Sequence, residues 1–270
     1  MSESLEFATN LALHSGNLLR KYYNPAGLQA TLKSDHTVVT EADLAADRLI
    51  TEAIRKQYPQ DKIISEESSH HLEDPYSPTW IIDPLDGTTN FSLGLSIWGV
   101  SIARLLDGYP ELGVLYFPMI NELYITRRGS GSSLNRLPIT TRAPDPTQPM
   151  SFFACCSRSF RYYDISIPYK PRIMGSGAYT FCMLARGSAL LGFDAVPKIW
   201  DLAAVWLLVE EAGGYIAPFE GLPPFPISSN VDYGVTNYPT LAAATTDVFT
   251  FGQNKIQKKS KSTFTVQNEV

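Results

Sequence analysis

Residues 80 to 91 read WIIDPLDGTTNF. Trp80, Ile81 and Ile82 make a short apolar run of the kind that fills a buried strand. The run stops at Asp83, and Pro84 keeps that aspartate extended, because proline excludes the residue before it from the α region. The Asp83 carboxylate therefore emerges at the end of a buried strand. Asp86 follows after a forced bend, so both carboxylates can turn toward one point. Asp86-Gly87 alone would serve as a surface turn. Two acids and the hydroxyls of Thr88 and Thr89 are more chemistry than a turn requires.

Three other stretches carry acids at the edges of expected elements: Asp43 in VVTEAD, Glu66 and Glu67 in IISEES, and Asp201 in WDLAAVWLLVEEAGG. Singly, each has an ordinary explanation. Asp43 sits at the third helical position after Thr40, where an acid favours a helix start. Asp201 can cap a helix beginning at Leu202, and Glu66 and Glu67 can be solvated. If Glu66 and Asp201 join Asp83 and Asp86, however, four negative charges share a small volume. Each pair about 4 Å apart repels by on the order of 4 kcal/mol at an effective dielectric near 20. Such a cluster takes up protons or binds cations. Oxygen donors without His or Cys suit hard divalent ions, Mg²⁺ first. Gly87 lets a ligand approach the backbone, and a helix or tight turn starting there offers amides to an anion. Cations beside an anion cradle point to phosphate, with the Thr88 hydroxyl orienting a water for in-line attack.

The rest of the chain frames this turn. Net charge is −5, so no global basic field points to nucleic acid. No window approaches the roughly 20 apolar residues of a membrane span, and MSESLEFATN lacks a secretion signal. Cys155, Cys156 and Cys182 have neither a paired framework nor zinc spacing, which fits buried thiols in a reducing, cytoplasmic setting. Apolar periodicity predicts helices over 4–23 and 40–58, with strands at KIIS and WIID. An antiparallel meander follows over 97–105, 111–117 and 122–128. The proline-rich TRAPDPTQP then separates two α/β lobes, 1–140 with most of the acids and 141–252 with Asp201. In the second lobe the pattern gives a strand at MSFFACC, a helix over 176–187, an apolar run to Phe193 and a helix over 202–212 stopped by Gly213-Gly214. Residues 253–270 are polar and basic and read as a disordered tail. His70-His71 reads as a solvated loop with no metal role.

These residues resemble the inositol monophosphatases, within the lithium-sensitive, magnesium-dependent phosphatase superfamily that includes fructose-1,6-bisphosphatases. WIIDPLDGTTNF and WDLAAVWLLVEEAGG carry most of the resemblance; KSDHTVVTEAD and ISEES add two shorter motifs in the expected order. The resemblance implies a layered α/β/α/β/α sandwich and a homodimer. It implies that Glu66, Asp83, Asp86 and Asp201, with the Leu85 carbonyl, bind two or three Mg²⁺ ions. Thr88 would help activate the water, supported by Asp43 or Glu66, and Gly87 and Thr88 would hold the phosphate. Gly175, Ser176, Gly177 and Asp194, with Asp201, fall where the family contacts the substrate. The implied reaction is hydrolysis of a small phosphate ester, inositol 1-phosphate first. Fructose 1,6-bisphosphate or another sugar phosphate is the alternative, then histidinol phosphate or phosphoadenosine phosphate. A non-catalytic binding descendant is the alternative from another class.

Two departures bear on the substrate. Asp194 stands where many inositol phosphatases have Glu, one methylene longer. The segment SFRYYDISIPYKP, 159–171, is short for the family and has little helical period. Arg158 beside it and Arg161 within it are candidates for a second phosphate, against the plainer reading of two surface arginines.

Overall fold

A computed structural model describes residues 2–26, 31–32, 38–145, 147 and 151–260 of the chain. In chain order the elements are α1 (Glu3–Tyr22), β1 (Thr31–Leu32), β2 (Val38–Val39), α2 (Glu41–Gln57), β3 (Lys62–Ser65), β4 (Thr79–Asp86), α3 (Thr88–Ser92), β5 (Gly99–Leu106), β6 (Tyr109–Phe117), β7 (Glu122–Arg127), β8 (Gly131–Leu134) and β9 (Leu137–Ile139). They continue with β10 (Phe152–Cys155), α4 (Ser159–Tyr162), β11 (Tyr163–Ile165), β12 (Lys170–Arg172), α5 (Gly177–Ala185), β13 (Ala189–Asp194), α6 (Ile199–Glu211), β14 (Tyr215–Pro218), β15 (Thr240–Ala243), α7 (Thr246–Gln253) and β16 (Ile256–Lys258).

Two sheets carry the architecture. The larger has seven strands in the order β3-β4-β5-β6-β7-β8-β9, antiparallel except for the parallel β3–β4 pair. The smaller runs β12-β10-β13-β15-β14. Helices α1 and α2 cover one face of the larger sheet, α5 and α6 lie between the two sheets, and α7 covers the outer face of the smaller one. This is a five-layer α/β/α/β/α sandwich.

Strand β4 shows why WIID is apolar without alternation. Trp80 and Ile82 enter the core beneath α1 and α2, whereas Ile81 enters the core shared with α5 and α6. A strand buried on both faces cannot alternate with polar residues. Each buried isoleucine contributes about 1.5–3 kcal/mol relative to exposure. The same logic explains α6, whose residues Leu202 to Val209 are all buried between the sheets.

The structure departs from the sequence expectations in three places. Helix α6 begins at Ile199, so Asp201 lies inside its first turn and does not precede it as a cap. The meander continues into β8 and β9. Ordered structure also passes residue 253: β16 pairs with β11, with buried Ile256 opposite Ile165. Backbone pairing thus overrides the polar composition there, and residues 253–258 belong to the fold. Residues 261–270 of the expected tail, and 33–37 within KSDHTVVTEAD, lie outside the described residues.

Candidate active site

Strand β4 delivers two acids to one point through an irregularity. Against β5, Asp83 pairs with Ser101 and Asp86 with Gly99, with a register shift between them. Such a bulge re-aims side chains that would otherwise point to opposite faces. Asp201 comes from the first turn of α6, where its Oδ2 accepts the Lys198 amide at 2.7 Å. One carboxylate oxygen from each of Asp83, Asp86 and Asp201 lies within 4.8 Å of the others. Glu66, just after β3, lines the same cavity, and its amide donates to the Ile82 carbonyl at 3.2 Å.

The electrostatics follow from this crowding. Burial first, then the charges of Glu66, Asp86 and Asp201, push the Asp83 carboxyl well above its ordinary range. Asp201 is also pushed well up, by burial and then by Asp86. Burial raises Asp86 to about 6, against hydrogen bonds from Ser176 and from the Ala178 and Gly177 amides. Buried carboxylates with no cationic partner among these causes require protons or a cation. An all-oxygen donor set of this charge fits a hard divalent ion.

Thr88 opens α3 beside the cluster. Its Oγ1 lies 3.0 Å from Asp43 Oδ1 and 2.9 Å from the Leu85 carbonyl. Asp43 serves two purposes at once. Its Oδ2 accepts the Thr40 amide at 2.7 Å and the Thr40 hydroxyl at 2.5 Å, closing the capping box of α2, while Oδ1 faces Thr88. Gly87, at φ 87°, must be glycine, since a Cβ would stand 2.9 Å from the Ile97 carbonyl.

The turn before α5 is joined to this one. Asn90 Nδ2 donates to the Ile97 carbonyl at 2.7 Å and to the Met174 carbonyl at 2.8 Å. It packs so closely that a Cβ on Gly175 would meet its Oδ1 at 2.4 Å. Ser176 donates its hydroxyl to Asp86 Oδ2, and the Gly177 amide donates to Asp86 Oδ1 at 3.0 Å. These groups therefore grip Asp86 from the far side as well as bordering the cavity.

The cavity measures about 790 Å³ and brings together Glu66, Asp83, Leu85, Asp86, Gly87, Thr88, the Gly175–Gly177 turn, Asp194 and Asp201. Asp194, the last residue of β13, is buried; its Oδ1 accepts the Val196 amide at 3.0 Å. Burial raises its carboxyl, opposed by a hydrogen bond from Cys156, by the Val196 amide and by the Arg158 charge. Arg158 borders the cavity, whereas Arg161 lies with its guanidinium carbon 5.7 Å from the Tyr162 ring. Segment 159–171 holds only the single turn of α4 and the short strand β11 before β12 begins.

Sequence reasoning missed one wall. His70 is half-buried and lines the cavity. Its Nε2 lies 2.8 Å from the Glu66 carbonyl, which can only accept, so Nε2 carries the proton. Its ring centroid is 5.4 Å from that of Trp200. The solvated-loop reading holds only for His71, exposed and 3.9 Å from Asp232. Lys198 Nζ donates to the Gly234 carbonyl at 2.8 Å, bringing Asp232, Gly234, Val235 and Asn237 to the cavity. The one available signal was the position of Lys198 and Trp200 beside Asp201; the 232–237 loop carries no motif.

Fold and site together define a phosphatase of the layered α/β class built around an acidic cluster. The chain matches the inositol monophosphatase family over residues 1–249 and belongs to that family. It is 36% identical over 245 residues to the Nus factor SuhB of Salmonella typhimurium, covering 87% of this chain and 92% of that one. It is 33% identical over 228 residues to the histidinol-phosphatase of Chlorobaculum parvum, covering 82% and 88%. Among solved structures, the Thermotoga maritima IMPase superposes with a TM-score of 0.72 at 26% identity, covering 90% of this chain and 92% of that one. The extragenic suppressor protein SuhB of Bartonella henselae gives a TM-score of 0.77 at 25% identity, covering 94% and 98%.

Proposed function

We propose that the chain is a Mg²⁺-dependent phosphomonoester hydrolase acting on an inositol phosphate. The observation that carries this reading is the Thr88–Asp43 pair, 3.0 Å apart, at the edge of the three-aspartate cluster. Mg²⁺, two or three ions held by Glu66, Asp83, Asp86, Asp201 and the Leu85 carbonyl, supplies Lewis acidity and charge neutralisation when bound. The chain's own groups position and move the proton. Thr88, donating to Asp43, keeps oxygen lone pairs to accept a hydrogen bond from the attacking water. Asp43 is a carboxylate within hydrogen-bond reach of that hydroxyl, which makes it the proton acceptor of this reading. Gly87 and the first amides of α3 face the phosphate, since a helical turn leaves those groups without an intrahelical acceptor.

Specificity falls to the far side of the cavity. Asp194, with the Gly175–Gly177 turn and Asp201, faces the alcohol. A carboxylate there can accept two hydrogen bonds from neighbouring hydroxyls. The histidinol-phosphatase relative makes histidinol phosphate an alternative ester. A bisphosphate is less well supported, because Arg158 alone of the two arginines borders the cavity. A purely binding role is disfavoured by the intact acids and Thr88. The exclusion of nucleic acid drawn from net charge gains no support from relatives named Nus factor. Lithium sensitivity, a homodimer, a cytoplasmic setting and the two-lobe division at residue 140 belong to the same reading and rest on the resemblance and the sequence pattern.

The test is hydrolysis of inositol 1-phosphate, histidinol phosphate, fructose 1,6-bisphosphate and an aryl phosphate by the wild type and by Asp194→Ala, all with Mg²⁺. Loss of charge-assisted hydrogen bonds should lower kcat/KM for inositol 1-phosphate by about 10- to 100-fold, with the aryl ester almost unaffected. An equal loss on every ester would place Asp194 in the cation site or the fold. A wild type inactive on all of them would remove the hydrolase reading.

A further inference from the structure

Helix α2 carries a second buried acid, Asp47, one helical turn after Asp43 and on the same face. No step described above uses it. Asp47 is 8% exposed, and one oxygen, Oδ1, accepts two hydroxyls: Ser65 Oγ at 2.5 Å and Ser68 Oγ at 3.2 Å. Ser65 and Ser68 flank Glu66 and Glu67. Reciprocal backbone bonds close the same turn, Ser65 N to Ser69 O at 2.9 Å and Ser69 N to Ser65 O at 3.3 Å. At its other side the Glu66 amide and carbonyl are held by Ile82 and His70. The charge of Glu66 acts on both Asp83 and Asp201.

We infer that Asp47 is a positioning residue that holds the Ser65–Ser69 turn and so sets the place of Glu66 at the acidic cluster. Helix α2 then templates the site twice: Asp43 orients Thr88 from the first turn, and Asp47 orients Glu66 from the second. Because α2 packs on β4, the strand that carries Asp83 and Asp86, both settings share one rigid support. The inference rests on the reading of Glu66 as a Mg²⁺ ligand. Groups that hold a ligand in place typically govern metal affinity by about 10- to 100-fold.

The experiment compares full-length wild type, Asp47→Ala and Asp47→Asn by Mg²⁺ calorimetry, by the Mg²⁺ dependence of ester hydrolysis, and by hydrogen exchange of amides 65–69. Asp47→Ala should raise the Mg²⁺ half-saturation by about 10- to 100-fold, change kcat at saturating Mg²⁺ much less, and speed exchange in the turn. Asp47→Asn should stay close to wild type, because an amide oxygen can accept the same two hydroxyls. A merely structural role would not separate these two variants in Mg²⁺ affinity at equal folded fraction. If Asp47→Ala does not fold, Ser68→Ala at the exposed end of the pair should give a smaller rise in half-saturation, and an unchanged value would overturn the inference. Unaltered Mg²⁺ affinity in Asp47→Ala, or equal losses in both Asp47 variants, would overturn it while leaving the hydrolase reading intact. A wild type that binds no Mg²⁺ would remove both.

Discussion

Asp83→Asn is expected to lower turnover by about 10³ or more, the scale of several kcal/mol of lost charge stabilisation. In the metal-free chain the same substitution should raise the melting temperature. The amide replaces a buried carboxylate that Glu66, Asp86 and Asp201 repel, and its Oδ1 can still accept the Leu85 amide. The sign with pH follows from the raised carboxyls. The folded chain holds protons that the unfolded chain has released, so stability falls as pH rises from the ordinary value of 3.8 through about 6, where Asp86 ionises, and through the raised ranges of Asp83 and Asp201. Chelator-treated wild type should therefore melt lower at about pH 8 than at about pH 5, with a shallower slope for Asp83→Asn. Mg²⁺ should restore the wild type most at the higher pH. Near-normal turnover by the variant, or a chelated variant less stable than wild type at the higher pH, would contradict the cluster as a cation site.

Thr88→Ala should lower kcat by about 10² or more, the usual scale for losing a positioned proton-transfer group. Mg²⁺ half-saturation should change much less, since none of the clustered carboxylates is altered. The effect on folding should be limited to about 1 kcal/mol for the lost hydroxyl contact. Steady-state kinetics with a Mg²⁺ titration and a thermal melt would separate the outcomes. A variant that melts far below wild type yet keeps its turnover would make Thr88 a structural cap of α3.

Asp83 was legible because Pro84 and an unbroken apolar run leave a carboxylate at a strand end few other options. The Asp43 capping box was equally readable, since Thr40 and Asp43 interact within one turn of chain. What joins them was not. Thr88 meets Asp43 across 45 positions and Ser176 meets Asp86 across 90, and neither pair leaves a local pattern. The start of α6 was misplaced because Lys198 is not a usual cap residue, whereas Asp201 looks like one. Asn90 has no local role to read in its motif; only the approach of Met174 reveals that it ties α3 to the turn before α5. Strand β16 was missed because backbone pairing with β11 needs no apolar alternation.

The burial of α6 on every side sets a clock on the making of this protein. The seven-stranded sheet is complete at Ile139, but the helix that covers its inner face begins at Ile199. At about 5–20 residues per second, the intervening stretch of roughly 60 residues keeps the ribosome occupied for on the order of 3–12 seconds. A sheet that forms as it emerges would display Ile81, Ala103, Leu105 and Leu115, core residues of the finished fold, without α6 through that interval. Nascent chains arrested before Ile199 should bind a hydrophobic dye that released full-length chains exclude, and equal binding by both would mean that the sheet assembles only after the helix has arrived.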